Sequence, residues 1–173
     1  DQLKGLLDLV GDDPALAATA HYTLGCSWLW LGALSVARRH LEEAIARSTP
    51  DQRRASGFRT GTDLGVGCRF YAAWILWLLG YPAQALAHIY EALTLAHALS
   101  HPLSLAWMRC RAAIFFQFCR DVPAVLEQAE AAVALAAAQG FPQWSAWGTI
   151  MRGWALAMQG QGEVGLAQVH QGI

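Results

Sequence analysis

The chain has 173 residues, of which 55% are hydrophobic and only 14% are charged, and its formal net charge is −1. This apolar composition excludes an intrinsically disordered chain, and a charge so close to zero provides no field for binding nucleic acid or an anionic membrane surface. The length suffices for one domain with a sizeable core, and the weak charge predicts either poor colloidal solubility or a surface that something else normally covers.

Apolar residues recur at three- and four-residue spacing along most of the chain, which is typical of helices. Gly32 is a suitable C-terminal cap, Asp121 a suitable N-terminal cap, and Pro102 and Pro142 break the chain where helices would begin. No segment alternates with the period of a strand. The predicted helices, in chain order, cover residues 15–31, 34–47, 66–79, 83–99, 103–119, 123–138, 143–159 and 163 onward.

The helices are organised as an internal repeat. A shift of the chain by 40 residues places Pro102 on Pro142. The same shift places Trp107 on Trp147. Each repeat holds a helix, a short turn and a second helix, and the four predicted units cover about residues 14–48, 66–99, 102–138 and 142–173.

The first unit resembles the tetratricopeptide repeat, whose signature is L-G-x-x-Y, then A-x-x-x-F, then A. The matching residues are Leu24-Gly25, Trp28, Ala37, Leu41 and Ala44. In that family small residues lie where two helices cross closely. Gly153 and Gly165 occupy these places in the fourth unit. In the third unit the larger Val125 predicts a looser crossing. The resemblance implies an all-α, right-handed solenoid of about four antiparallel helix pairs, with helices or linkers longer than those of the family's period of about 34 residues.

Several longer segments resemble the C-terminal helical region of large bacterial signalling ATPases. These segments are residues 58–66, 74–86, 140–144 and 152–163. In such proteins a nucleotidyl cyclase or DNA-binding domain and a nucleotide-switch ATPase precede the helical repeats. The resemblance implies a cytoplasmic interaction or sensing arm of a longer protein. The chain itself holds no phosphate-binding G-x-x-x-x-G-K-[ST] motif.

Residues that could carry chemistry do not form catalytic patterns. Asp12-Asp13 precede a proline, which favours a helix cap, and Glu42-Glu43 favour a solvated helix face. The four cysteines form no C-x-x-C pair, the six histidines have no zinc spacing, and no G-x-S-x-G motif is present. We therefore expect no enzymatic activity, no metal and no cofactor, with the cysteines as buried free thiols.

The aromatic residues favour a binding function. First helices of such repeats line the concave face of the solenoid, and helical spacing predicts which residues would lie there. From the four units in turn they are Tyr22, Cys26 and Trp30; Phe70, Trp74 and Trp77; Trp107, Cys110, Ile114 and Phe118; and Trp147, Ile150 and Trp154. Either these rings pack as core between helices, or several stay open and bind an apolar peptide or a partner helix.

The connection of residues 49–65 is a second candidate, because it is longer than its counterparts and holds Arg53, Arg54 and Arg59. It could form the lip of a groove or be an ordinary solvated insertion.

The sequence predicts a non-catalytic module that binds a protein or peptide partner in an aromatic-rich groove. Two alternatives stay open. One is a sensor for a small apolar or aromatic ligand caged by Trp74, Trp107 and Trp154. The other is a scaffold that packs on its own ATPase domain or on a second copy of itself.

Overall fold

A computed structural model describes Gly5, residues 13–51 and residues 61–173. Over these residues the chain forms eight long α-helices and no strand. In chain order the helices are α1 (Pro14–Trp30), α2 (Leu34–Arg47), α3 (Leu64–Leu78), α4 (Pro82–Ala98), α5 (Pro102–Phe118), α6 (Val122–Gln139), α7 (Pro142–Met158) and α8 (Gly162–Gly172).

The repeat seen in the sequence corresponds to a regular spacing of helices. From α5 onward each helix begins 20 residues after the one before it, so one repeat of 40 residues holds two helices and two turns. Helices α4, α5 and α7 have 17 residues and α6 has 18. The period is therefore longer than that of tetratricopeptide repeats because the helices are long, whereas the turns between them are short.

Left-handed residues terminate the helices at the same spacing. The φ angles of Gly80, Ser100, Arg120, Gly140 and Gly160 are 84°, 51°, 56°, 70° and 88°. Glycine adopts this conformation without steric cost, but a residue with a Cβ atom is destabilised in it. The turns at Ser100 and Arg120 therefore carry a backbone penalty that the glycine turns avoid.

Two aspartates cap helices as the sequence predicts. The Asp13 carboxylate accepts a hydrogen bond from the backbone N of Ala15 at 2.8 Å, at the start of α1. The Asp121 carboxylate accepts one from the backbone N of Ala124 at 3.1 Å, at the start of α6. Each bond satisfies one of the N–H groups that a helix leaves unpaired at its first turn. Asp12 lies outside the described residues.

The chain divides into two compact units, Asp1–Leu95 and Ala96–Ile173. In the first unit α1 packs against α2, and α3 packs against both. A buried cluster at this junction consists of Leu29, Ala37, Leu41, Ala72 and Ile75. In the second unit α5, α6 and α7 each pack against the next helix, and α5 also contacts α7 directly.

Helices cross most closely where the sequence places glycine. A Cβ atom on Gly25 would lie 2.6 Å from Cγ of Leu41, and one on Gly153 would lie 2.6 Å from the carbonyl oxygen of Gly165. Both distances are shorter than any ordinary van der Waals contact. The predicted close crossings of the first and fourth helix pairs are thus confirmed. In the third pair Val125 is fully buried.

Candidate binding surface

The predicted groove residues differ in exposure. Phe70, Trp107 and Cys110 are buried. The prediction that they line an open groove is therefore wrong, and they belong to the core. The Phe70 ring packs against the rings of Tyr71 and Trp74, with centroids 5.1 and 5.9 Å away. The half-buried residues are Tyr22, Cys26, Trp74, Trp77, Ile114, Ile150 and Trp154, and the exposed ones are Trp30, Phe118 and Trp147.

The predicted lip of the groove cannot be located. Arg53, Arg54 and Arg59 lie in residues 52–60, outside the described residues. Their role stays a prediction.

A large apolar side chain is exposed at the last position of each first helix. These four residues, which we call the helix-end residues, are Trp30 (79% exposed), Leu78 (53%), Phe118 (56%) and Met158 (52%). A folded chain normally buries much of such side chains, so their repeated exposure marks the ends of α1, α3, α5 and α7.

Sequence reasoning found only half of the helix-end residues. It selected Trp30 and Phe118 and missed Leu78 and Met158. The signal was present, because a shift of 40 residues relates Leu78 to Phe118 and Phe118 to Met158. The helix-face projection could not use this signal, because it ignores how close a residue lies to the end of its helix.

In the second unit two helix-end residues line a cleft of about 480 Å³ between the C-terminal ends of α5 and α7. Gln117, Phe118 and Arg120 come from α5 and the turn after it, and Trp154 and Met158 come from α7. We call this site the α5–α7 cleft. It brings together two predicted residues, Phe118 and Trp154, with three that the sequence did not single out.

The α5–α7 cleft combines apolar walls with hydrogen-bond donors. The donors are the guanidinium of Arg120, the carboxamide of Gln117 and the indole N–H of Trp154. None of these three side chains forms a hydrogen bond or an ion pair with another described residue. The neighbouring Asp121 carboxylate is engaged by the backbone N of Ala124. The arrangement suits a group that is apolar on one side and accepts hydrogen bonds on the other.

Comparisons with known proteins support the fold class. No protein-family model and no curated protein sequence matches the chain. The fold is similar to the crystal structure of BtubC (BKLC) from P. vanneervenii, with a TM-score of 0.74 and 18% identity. The similarity covers 98% of this chain and 67% of that chain. At this identity it shows the fold alone, and the all-α prediction is confirmed.

A cation–π arrangement joins the exposed Trp147 of α7 to α5. The Arg111 guanidinium lies 5.5 Å from the ring centroid of Trp107 and 5.4 Å from that of Trp147. The two tryptophans are one repeat apart on α5 and α7. Arg111 therefore joins the two first helices of this unit through a contact that stabilises their packing.

The cysteines are unsuited to nucleophilic chemistry. Burial raises the pKa of Cys26 to about 11 and the pKa of Cys110 to about 12. Both thiols therefore stay protonated at neutral pH, and the thiol is a far weaker nucleophile than the thiolate. Cys110 Sγ donates to the backbone carbonyl oxygen of Trp144 at 3.4 Å.

A histidine pair joins α1 and α2. The Nδ1 atoms of His21 and His40 lie 3.1 Å apart, so one ring donates the hydrogen bond and the other accepts it. Burial lowers the pKa of both rings, and the proximity of His40 lowers that of His21 further. Across residues 13–51 and 61–173 no group of three histidine, cysteine or acidic residues could hold a metal ion.

Within the same described ranges, every helix is too short or too polar to cross a membrane.

Proposed function

We propose that this chain is a non-catalytic protein-interaction module of the tetratricopeptide kind, in which about four helix pairs stack as a right-handed solenoid. The observation that carries the proposal is the exposure of a large apolar side chain at the end of every first helix. Contiguous exposed apolar surface marks interaction sites, and in the second unit Phe118 and Met158 lie together in the α5–α7 cleft. Aromatic residues contribute most to binding at such sites.

In the proposed mechanism a partner segment covers Phe118 and Met158, the helix-end residues of the second unit, and removes them from water. Covering the exposed part of one ring such as Phe118 removes roughly 100 Å² from water, which contributes about 2.5 kcal/mol at ~25 cal/mol/Å². In a larger cytoplasmic signalling protein, the bound segment would favour one arrangement of the whole protein over another.

The size of the α5–α7 cleft supports a second candidate, the sensing of a small apolar or aromatic molecule. Its volume of about 480 Å³ lies within the range of small-ligand pockets. However, Phe118 and Met158 are each more than half exposed, so the cleft is open to solvent. An open cleft favours a peptide segment over an enclosed small molecule.

Selection from a random dodecapeptide display library tests the proposal. The purified wild-type chain should retain a defined set of peptides, and the Phe118→Ser/Met158→Ser variant should lose them. Leu166→Ser is the matched control, because Leu166 is also 56% exposed but lies on α8, outside the cleft. Retention of the same peptides by the double variant would contradict the proposal. Sedimentation velocity on the same samples distinguishes the scaffold alternative, which requires concentration-dependent dimers.

A further inference from the structure

We propose that Arg120 makes the α5–α7 cleft selective for an acidic peptide segment, in which an Asp or Glu carboxylate lies beside a large apolar side chain. This inference rests on the proposed interaction function and specifies the chemistry of the partner.

The first observation concerns the turn after each first helix, where one residue adopts the left-handed backbone conformation. After α1, α3 and α7 this residue is glycine, Gly32, Gly80 and Gly160, with φ angles of 78°, 84° and 88°. After α5 it is Arg120, with a φ angle of 56°. Backbone strain of this kind clusters at functional sites, so a strained residue that also lines a candidate site points to a role that glycine could not fill.

The second observation is the position of the Arg120 side chain. It lines the α5–α7 cleft together with Phe118, Trp154 and Met158. At the equivalent turn after α7, Gly160 has no side chain to offer. The substitution of arginine for glycine in this repeat therefore places a positive charge against the apolar walls of the described cleft.

The third observation is that the charge of Arg120 is available to a ligand. The guanidinium forms no ion pair with any described carboxylate, and the adjacent Asp121 is engaged as the cap of α6. A carboxylate is the natural partner of a guanidinium, which presents parallel N–H donors to its two oxygens. Gln117 and Trp154, whose side chains carry further N–H donors, line the same cleft.

The open shape of the cleft lets an internal stretch of a polypeptide present a side-chain carboxylate to Arg120. Phe118 and Met158 are more than half exposed, so a polypeptide can enter and leave along the ends of α5 and α7. An apolar side chain of the segment would lie against Phe118 and Trp154, and the neighbouring Asp or Glu would reach Arg120.

The experiment uses a random dodecapeptide library joined to its carrier through the peptide C-terminus, so that all peptide carboxylates come from side chains. Peptides retained by the wild-type chain should be enriched in Asp and Glu beside large apolar residues. Arg120→Gly should lose this enrichment, with about tenfold weaker binding of the selected acidic peptides. Arg120→Lys keeps the charge and should keep part of the enrichment.

Ser100→Gly is the matched control, because Ser100 is the other described non-glycine residue with a left-handed backbone and it lies outside the cleft. Glycine relieves the backbone strain of the folded chain, and its greater flexibility in the unfolded chain offsets part of this gain. The net effect should lower the unfolding equilibrium constant of both glycine variants by about threefold. Arg120→Gly is therefore expected to be more stable than the wild type and yet to lose its acidic preference. Ser100→Gly should gain stability and keep that preference.

Two results with the wild type and Arg120→Gly would overturn the inference alone. One is a retained peptide set without acidic enrichment, and the other is equal enrichment for the wild type and Arg120→Gly. Loss of the enrichment in Ser100→Gly would overturn it as well, because the effect would then not depend on the charge of Arg120. Failure of the wild-type chain to retain any peptide would overturn the proposed interaction function and this inference with it.

Discussion

Replacing Gly153 by alanine tests whether the crossing of α7 and α8 is as close as the structure shows. The new Cβ atom would lie 2.6 Å from the carbonyl oxygen of Gly165 and 3.0 Å from the backbone N of Val169. An ordinary carbon–oxygen contact is about 3.3 Å or longer, so α8 must move by roughly 0.7 Å. The clashing atoms belong to the backbone and cannot rotate away, as a flexible side chain could.

The expected magnitude follows from two opposing effects. Overpacking costs about 1–3 kcal/mol, while alanine favours a helix over glycine by up to ~1 kcal/mol. We expect Gly153→Ala to be destabilised by about 1–2 kcal/mol, which lowers the melting temperature by about 2–8 °C in a chain of this size. Thermal and urea unfolding followed by circular dichroism measure both quantities.

Gly162→Ala is the control, because a Cβ atom there meets no atom within 4 Å. This variant should be unchanged or slightly stabilised. The double variant Gly153→Ala/Gly165→Ala should cost less than the sum of the single changes, because either one already opens the same crossing. If Gly153→Ala were as stable as Gly162→Ala, the close crossing would be refuted.

Two further predictions concern a helix cap and the histidines. Asp121→Ala should lower the free energy of unfolding by about 1 kcal/mol, and Asp121→Asn should lower it much less, since asparagine can still accept the hydrogen bond from Ala124. Thermal unfolding measures both variants, and an equal loss of stability in the two would contradict the capping role. Burial lowers the pKa values of His21, His40 and His88 from 6.5, so the unfolded chain binds protons that the folded chain rejects. The free energy of unfolding should therefore be largest above about pH 6.5 and fall as the pH drops toward the folded pKa values. In urea titrations His21→Gln should lose less stability on acidification than the wild type. An equal loss in both proteins would contradict the role of the histidine pair.

The helices could be predicted from sequence because local chemistry marks their ends. Asp121, Pro142 and Gly32 each act within one turn of a helix, and the predicted bounds agree with the structure to within two residues. The close crossing at Gly153 and Gly165 could also be predicted, since the repeat places small residues at fixed offsets. The left-handed backbone at Arg120 was missed, because arginine itself carries no signal for it and only its place midway between Gly80 and Gly160 in the repeat marks it.

The candidate site was less predictable because exposure depends on tertiary neighbours. Helical spacing placed Trp107 and Trp154 on the same face of their helices. Trp107 is buried beside Arg111, whereas Trp154 lines an open cleft. Spacing along one helix cannot distinguish these outcomes, since the neighbouring helix decides which ring is covered. Met158 was missed for the related reason that it lies at a helix end.

The central claim is that Phe118 and Met158, the exposed helix-end residues of the second unit, form a binding surface, and calorimetric titration of a selected peptide tests it most directly. Phe118→Ser should weaken binding by at least about tenfold. A tenfold change in affinity corresponds to about 1.4 kcal/mol, which is less than the ~2.5 kcal/mol expected from covering the Phe118 ring. Leu166→Ser, with the same exposure on α8, should bind as tightly as the wild type. Equal affinity for the wild type and Phe118→Ser would contradict the account.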